Sequence, residues 1–193
     1  MGDDHTTDDR SQKQKMLAGE LYSADDPELA HDAGVARAAM AEFARRYEHD
    51  IAAAHAVLKG LFKECGDTAH VRPPLYVDYG FNIRFGEGSF ANFGLVALDV
   101  APITIGRDVQ IGPNVQLLTP THPIDAASRR AKLEAGAPIV IEDNVWLGGG
   151  AIVLAGVTIG ENSIIGAGAV VTRDIPANVV AVGNPARVIR ALP

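Results

Sequence analysis

The sequence predicts a mainly β fold, a coil of hexapeptide repeats preceded by an α-helical segment, and three observations carry that prediction. Aliphatic residues recur at six-residue steps through Ile141, Leu147, Val153, Ile159, Ile165 and Val171. Neither an amphipathic helix nor an alternating strand produces that spacing. Three positions beyond each stand Asn144, Gly150, Gly156, Asn162, Gly168 and Asp174. These residue types tolerate a left-handed backbone, so each hexapeptide reads as a short strand and a tight corner. The third observation is an alanine-rich stretch of good helix formers ahead of Pro73-Pro74, where the periodicity is absent.

Taken in chain order, residues 1–15 are polar and of mixed charge and are expected to form a mobile tail. Residues 16–66 are expected to form the helical segment. Asp25-Asp26-Pro27 has the composition of a helix start, with proline in the first turn, and Glu28 to Tyr47 carries Val35, Met40, Phe43 and Tyr47. A second helix is expected from about Ile51 to Lys63, with Val57, Leu58, Leu61 and Phe62 on its apolar side and Gly66 ending it. The helices are too small to bury a core alone and should pack on the coil.

The coil is expected over residues 67–193, entered through Pro73-Pro74, which forces an extended chain. An early frame runs through Tyr79, Phe85 and Ala91, with Asn82, Gly88 and Gly94 as corners, and an eight-residue step from Ala97 to Ile105 shifts the register. Ile105, Ile111 and Leu117 then share the frame of Ile141, with Asp108 and Asn114 at their corners. Residues 118–137 break the pattern: they are polar, include Thr121-His122-Pro123, and read as a loop thrown out of the coil. Loops on rigid scaffolds are where binding groups concentrate. No single hexapeptide can bury its own apolar face, so the coils must stack.

The chain has 193 residues, 47% of them hydrophobic and 21% charged, ordinary values for one folded unit. A net charge of −7 gives no basic footprint for nucleic acid. No apolar run is long enough to span a membrane, and Met1-Gly2-Asp3-Asp4-His5 lacks the apolar core of a signal peptide. With Cys65 as the single cysteine, a cytoplasmic protein without an internal disulfide is expected.

Several motifs in order carry a family resemblance: Ala18-Gly19-Glu20-Leu21-Tyr22, Tyr79-Gly80-Phe81-Asn82-Ile83, Phe90-Ala91-Asn92-Phe93, Thr121-His122-Pro123, Asn144-Val145-Trp146-Leu147-Gly148 and Gly183-Asn184-Pro185-Ala186-Arg187. Together they resemble the maltose/galactoside O-acetyltransferase family over nearly all of Met16 to Arg190. The resemblance implies a left-handed parallel β-helix, a hand unusual for parallel connections. It also implies a homotrimer with active sites between subunits, and transfer of acetyl from acetyl-coenzyme A to a hydroxyl of a sugar-like acceptor, with no metal.

In that family the catalytic base falls on His122. An alcohol attacks a thioester only as a base of near-neutral pKa takes its proton, which suits imidazole. Asn92 matches a position at the reacting centre, where a neutral amide can donate to the oxygen that gains charge. Because the corner in its frame is Gly94, coil geometry alone does not call for an asparagine at that position.

Trp146, the single tryptophan, precedes the inward Leu147 and should point outward, as a wall for the coenzyme arm, a subunit contact, or both. The resemblance places coenzyme contacts at Asn92, Gly149, Ala167, Thr172, Arg173, Arg187 and Arg190; guanidinium groups suit phosphate. For the acceptor it leaves Asp25 or Asp26, either of which can instead cap a helix, together with Asp78, Asn92 and Asp99. Leu98-Asp99-Val100 is closer to the maltose-type branch. Three other readings remain: an amine or non-sugar acceptor, a zinc carbonic anhydrase needing three converging histidines, and a noncatalytic trimeric scaffold.

Overall fold

The computed structural model describes residues 8–193. Its body is a left-handed parallel β-helix of about six turns. Three flat sheets of five, five and seven strands form the sides of a prism. Residues at the same place in successive coils stack in columns. One column runs Cys65, Phe85, Ile105, Ile141, Ile159, and a second runs Val71, Ala91, Ile111, Leu147, Ile165, Ala181. The third runs Val77, Ala97, Leu117, Val153, Val171. From Ile105 to Val171 the column members are almost wholly buried, each stabilising the fold by about 1.5–3 kcal/mol.

Corners follow the expected chemistry. Asp108, Asn114, Asn144 and Asn162 all take φ between 57° and 62°. Asp174 is a correction: it is absent from the left-handed positions, its carboxylate instead accepts from the Thr158 amide, and Asn178 takes the corner at φ 58°. Coil-to-coil approach is closest at Gly86 and Gly160, where a Cβ would stand 2.1 Å and 2.4 Å from the backbone of the next coil. A side chain there would push coils apart.

The early frame also differs from expectation. Val77 pairs with Ala97 and Phe85 with Ile105, so an eight-residue step precedes Phe85 just as one precedes Ile105. Tyr79 and Asn82 therefore sit in an extra turn outside the columns. Gly80, not Asn82, takes the positive φ there, at 83°.

Helix α1 (Gln12–Leu17) begins inside the stretch expected to be a tail, because Ser11 and Gln14 form a capping box. Residues 1–7 of that expected tail lie outside the described residues. Helix α2 (Pro27–Tyr47) starts with Asp26 as N-cap, its carboxylate accepting from the Glu28 and Leu29 amides. Helix α3 (Ile51–Leu61) is capped by Asp50 and stops two residues earlier than expected. Phe43, Leu58 and Leu61 share one apolar cluster with the coil. A smaller cluster joins Met16, Tyr22 and Leu29 to Val100 at a coil corner. No helix among the described residues is long and apolar enough to cross a membrane.

Residues 118–137 have structure of their own. Pro120–Thr121 pairs antiparallel with Leu133–Gly136, and Leu133–Gly136 pairs with Tyr22–Ser23 from the chain start. Between the arms lies the short helix α4 (Ala126–Arg130), capped by Asp125. The excursion is a hairpin clamped by the N-terminal segment.

Candidate active site

His122 follows the outgoing arm of this hairpin, and its side chain is 60% exposed. The segment behind it is fixed by Arg129, whose Nη1 donates to the carbonyls of Pro123 and Ile124, each at 2.9 Å. At the hairpin base, buried Thr119 donates to the Leu98 carbonyl at 2.6 Å and accepts from the Ala101 amide. The excursion is thus held at its base and near its tip.

The return arm contributes Glu134. Its Oε2 lies 3.9 Å from His122 Nε2, and its side chain is 15% exposed. The Tyr22 hydroxyl donates to its other oxygen, Oε1. Tyr22 is 1% exposed; burial, reinforced by Glu134, pushes its hydroxyl pKa far up, so it remains a donor. His122, Glu134, Arg129 and Lys132 line a hollow of about 270 Å³ with Ala24 and Asp25.

Of the acceptor candidates, Asp25 lines this hollow, while Asp26 serves as the α2 cap. Asp78 is half-buried, and burial, with the nearby Asp99 and Glu134 charges, raises its carboxyl to about 6. Asp99 lies inside the fold. It is 0% exposed, with Oδ1 accepting from the Asp78 and Tyr79 amides and Oδ2 from the Asn82 amide. Burial raises its pKa while those amides act against the rise. A carboxylate so enclosed shapes the turn that carries Asp78.

The coenzyme candidates group elsewhere. Trp146 is outward and 53% exposed. It pairs with Ile164, which pairs with Val180, which pairs with Arg190, so Trp146 and Arg190 share the seven-stranded sheet, with Arg187 on the same edge strand. Asn92 extends another strand of that sheet, and its Oδ1 accepts from the Phe93 amide. Gly149 lies in the corner after Trp146-Leu147, packed over Pro113, with exposed Ala167 one coil on. Thr172 and Arg173 are exposed after the strand Val170–Val171 on the neighbouring face. The His122 hairpin also leaves from that neighbouring face, after Gln116–Leu118.

Sequence reasoning missed Glu134, Arg129 and Tyr22 as parts of the site. Tyr22 carried a signal, since it ends Ala18-Gly19-Glu20-Leu21-Tyr22, but its partner lies 112 residues away. A larger hollow of about 520 Å³ between α3 and the first coil is lined by Phe43, Tyr47, His55, Leu58 and His70 among others. It contains none of the expected site residues. Among the described residues no group of three or more His, Cys, Asp or Glu side chains is placed to hold a metal.

Comparison with known proteins gives a consistent picture. A family profile described as the maltose acetyltransferase hexapeptide capping motif matches residues 15–66, and one for the bacterial transferase hexapeptide (six repeats) matches 138–173. The crystal structure of a maltose O-acetyltransferase from Clostridium difficile 630 is 44% identical, with a TM-score of 0.93 over 95% of this chain and 98% of that one. A hexapeptide-repeat acetyltransferase from Vibrio cholerae, complexed with acetyl-coenzyme A, is 38% identical at a TM-score of 0.88, over 95% and 100% of the chains. The galactoside O-acetyltransferase of Escherichia coli is 39% identical over 93% of this chain and 88% of its own.

Proposed function

Because the chain belongs to the maltose/galactoside O-acetyltransferase family, we propose that it transfers acetyl from acetyl-coenzyme A to a hydroxyl of a sugar-like acceptor, of maltose or glucose type, with His122 as general base. The observation that carries this reading is the pairing of His122 Nε2 with Glu134 Oε2 at 3.9 Å on the wall of a hollow. A carboxylate on the same wall as the ring can orient the imidazole toward an acceptor hydroxyl.

Transfer is direct. The acceptor hydroxyl enters the hollow beside Asp25, with Asp78 near Glu134; His122 removes its proton as oxygen attacks the thioester carbon, and the Asn92 amide donates to the carbonyl oxygen as charge develops. The thiolate then leaves and takes a proton from the imidazolium. Holding both substrates together supplies orientation that solution does not. The coenzyme follows Trp146, Gly149 and Ala167, with Thr172, Arg173, Arg187 and Arg190 toward its phosphates.

The protein works as a homotrimer in the cytoplasm. His122 rises from one face of the prism, whereas Trp146 and Arg190 lie on the next. A closed head-to-tail ring brings such faces of neighbouring protomers together. Exposed Phe93, Trp146, Leu154 and Ile189 on these two faces suit burial by a partner.

The test is thiol release from acetyl-coenzyme A with a panel of sugars, amines and simple alcohols. His122→Ala should lower kcat by about 10²–10⁴-fold while calorimetry still registers coenzyme binding. Preferential acetylation of amines, or an active His122→Ala variant, would overturn the reading.

A further inference from the structure

We infer that Tyr22 is a positioning residue for the transfer reaction, acting through Glu134 to hold the carboxylate against His122. The inference rests on the reading of His122 as base and extends it to a residue in the N-terminal segment, outside the coil.

The geometry is specific. Tyr22 and Glu134 stand directly opposite one another in the antiparallel pair formed by Tyr22–Ser23 and Leu133–Gly136. Side chains in that relation project to the same face of the ribbon and touch. The Tyr22 hydroxyl takes Glu134 Oε1, and the remaining oxygen, Oε2, is the one nearest His122. A glutamate has three rotatable bonds, so one anchored oxygen removes much of the freedom the other would have. Tyr22 is itself immobilised: it is 1% exposed and packs with Met16, Leu29 and Val100. Its ring therefore transmits the position of the N-terminal segment to the carboxylate.

A phenol buried this deeply would be under no need to reach the site if it served packing alone, since phenylalanine fills the same space. The hydroxyl is the informative atom. Buried hydroxyls find partners, and this one has found the carboxylate that lies 3.9 Å from the imidazole. Its strongly raised pKa, caused by burial and by Glu134, keeps the proton on oxygen throughout the working range.

The experiment is a double-mutant cycle on the full chain with acetyl-coenzyme A and the best acceptor found in the panel. Tyr22→Phe should lower kcat by roughly tenfold, leaving KM for acetyl-coenzyme A within about twofold. Glu134→Gln should fall at least as far. The Tyr22→Phe/Glu134→Gln double variant should be no slower than Glu134→Gln alone, because the hydroxyl acts only through the carboxylate. A merely structural tyrosine would instead lower the melting temperature and slow both backgrounds equally. That result, or wild-type turnover in Tyr22→Phe, overturns the inference. His122→Ala measured alongside separates the two readings: if it stays active the assignment of the base fails, and if it is dead while Tyr22→Phe matches wild type, the tyrosine assignment fails alone.

Discussion

The stacked coils from Ile139 to Val171 and the hairpin at 118–137 are adjacent in sequence but differ in how they are held together. In the coils each inward residue repeats the role of the one six positions earlier, and Leu147 lies between Ile111 and Ile165 with all three almost wholly buried. In the hairpin no role is repeated. Arg129 fixes two carbonyls, Thr119 anchors the base, and Glu134 is gripped by a tyrosine from the chain start. Redundancy gives the coils stability, and singular polar contacts give the hairpin its shape. Substitutions in the two regions should accordingly separate stability from turnover.

The sharpest break of that comparison is Leu147→Ala. It should destabilise by about 2–5 kcal/mol through a cavity between coils, read by chemical denaturation, while surviving folded protein turns over normally. Asp78→Asn tests the joint between coil and site. The Asp78 carboxyl is raised to about 6 by burial and by Asp99 and Glu134, from an ordinary 3.8. Folded protein thus binds this proton more tightly than unfolded protein, and stability falls as pH rises between those values. Removing the group should stabilise by about 1–2 kcal/mol at pH 8 and by almost nothing near pH 3; denaturation curves at both pH values decide it.

Arg129→Ala should show the opposite pattern to Leu147→Ala. Loss of the two carbonyl contacts behind His122 is expected to cost about tenfold in kcat with a melting temperature near that of wild type. The smallest effect belongs to the corners. Asn162 holds φ 62°, so Asn162→Ala should cost about 1 kcal/mol and Asn162→Gly much less, compared by thermal melts. If both corner variants match, left-handed strain is not what selects asparagine there.

How much the sequence discloses follows the same division. The columns from Ile105 onward and five of the six corners beyond Ile141 are legible because every coil must solve the same steric problem with the same residue types. The frame before Phe85 misleads because Tyr79 and Asn82 have column-like and corner-like chemistry by coincidence. The spacing of Cys65, Val71 and Val77, followed by an eight-residue step like the one after Ala97, marks the true register. His122 stands out in the sequence as the histidine in the large interruption. Glu134 and Tyr22 do not, since nothing periodic links residues whose contact depends on a strand pairing across 112 positions. The enclosure of Asp99 by three amide donors is likewise invisible in the sequence, because a buried loop-shaping carboxylate and an exposed one have the same letter.

That long-range pairing also bears on how the molecule comes into being. A local coil can form as soon as its neighbour exists, whereas the ribbon of Tyr22–Ser23 on Leu133–Gly136 must wait until the intervening chain has been made and wound, a slow class of closure. If His122 is the base, the support of its imidazole depends on that closure. On that reading a chain whose coils are stacked but whose ribbon is open would lack the Glu134 carboxylate beside the ring, and turnover would report closure of the whole fold.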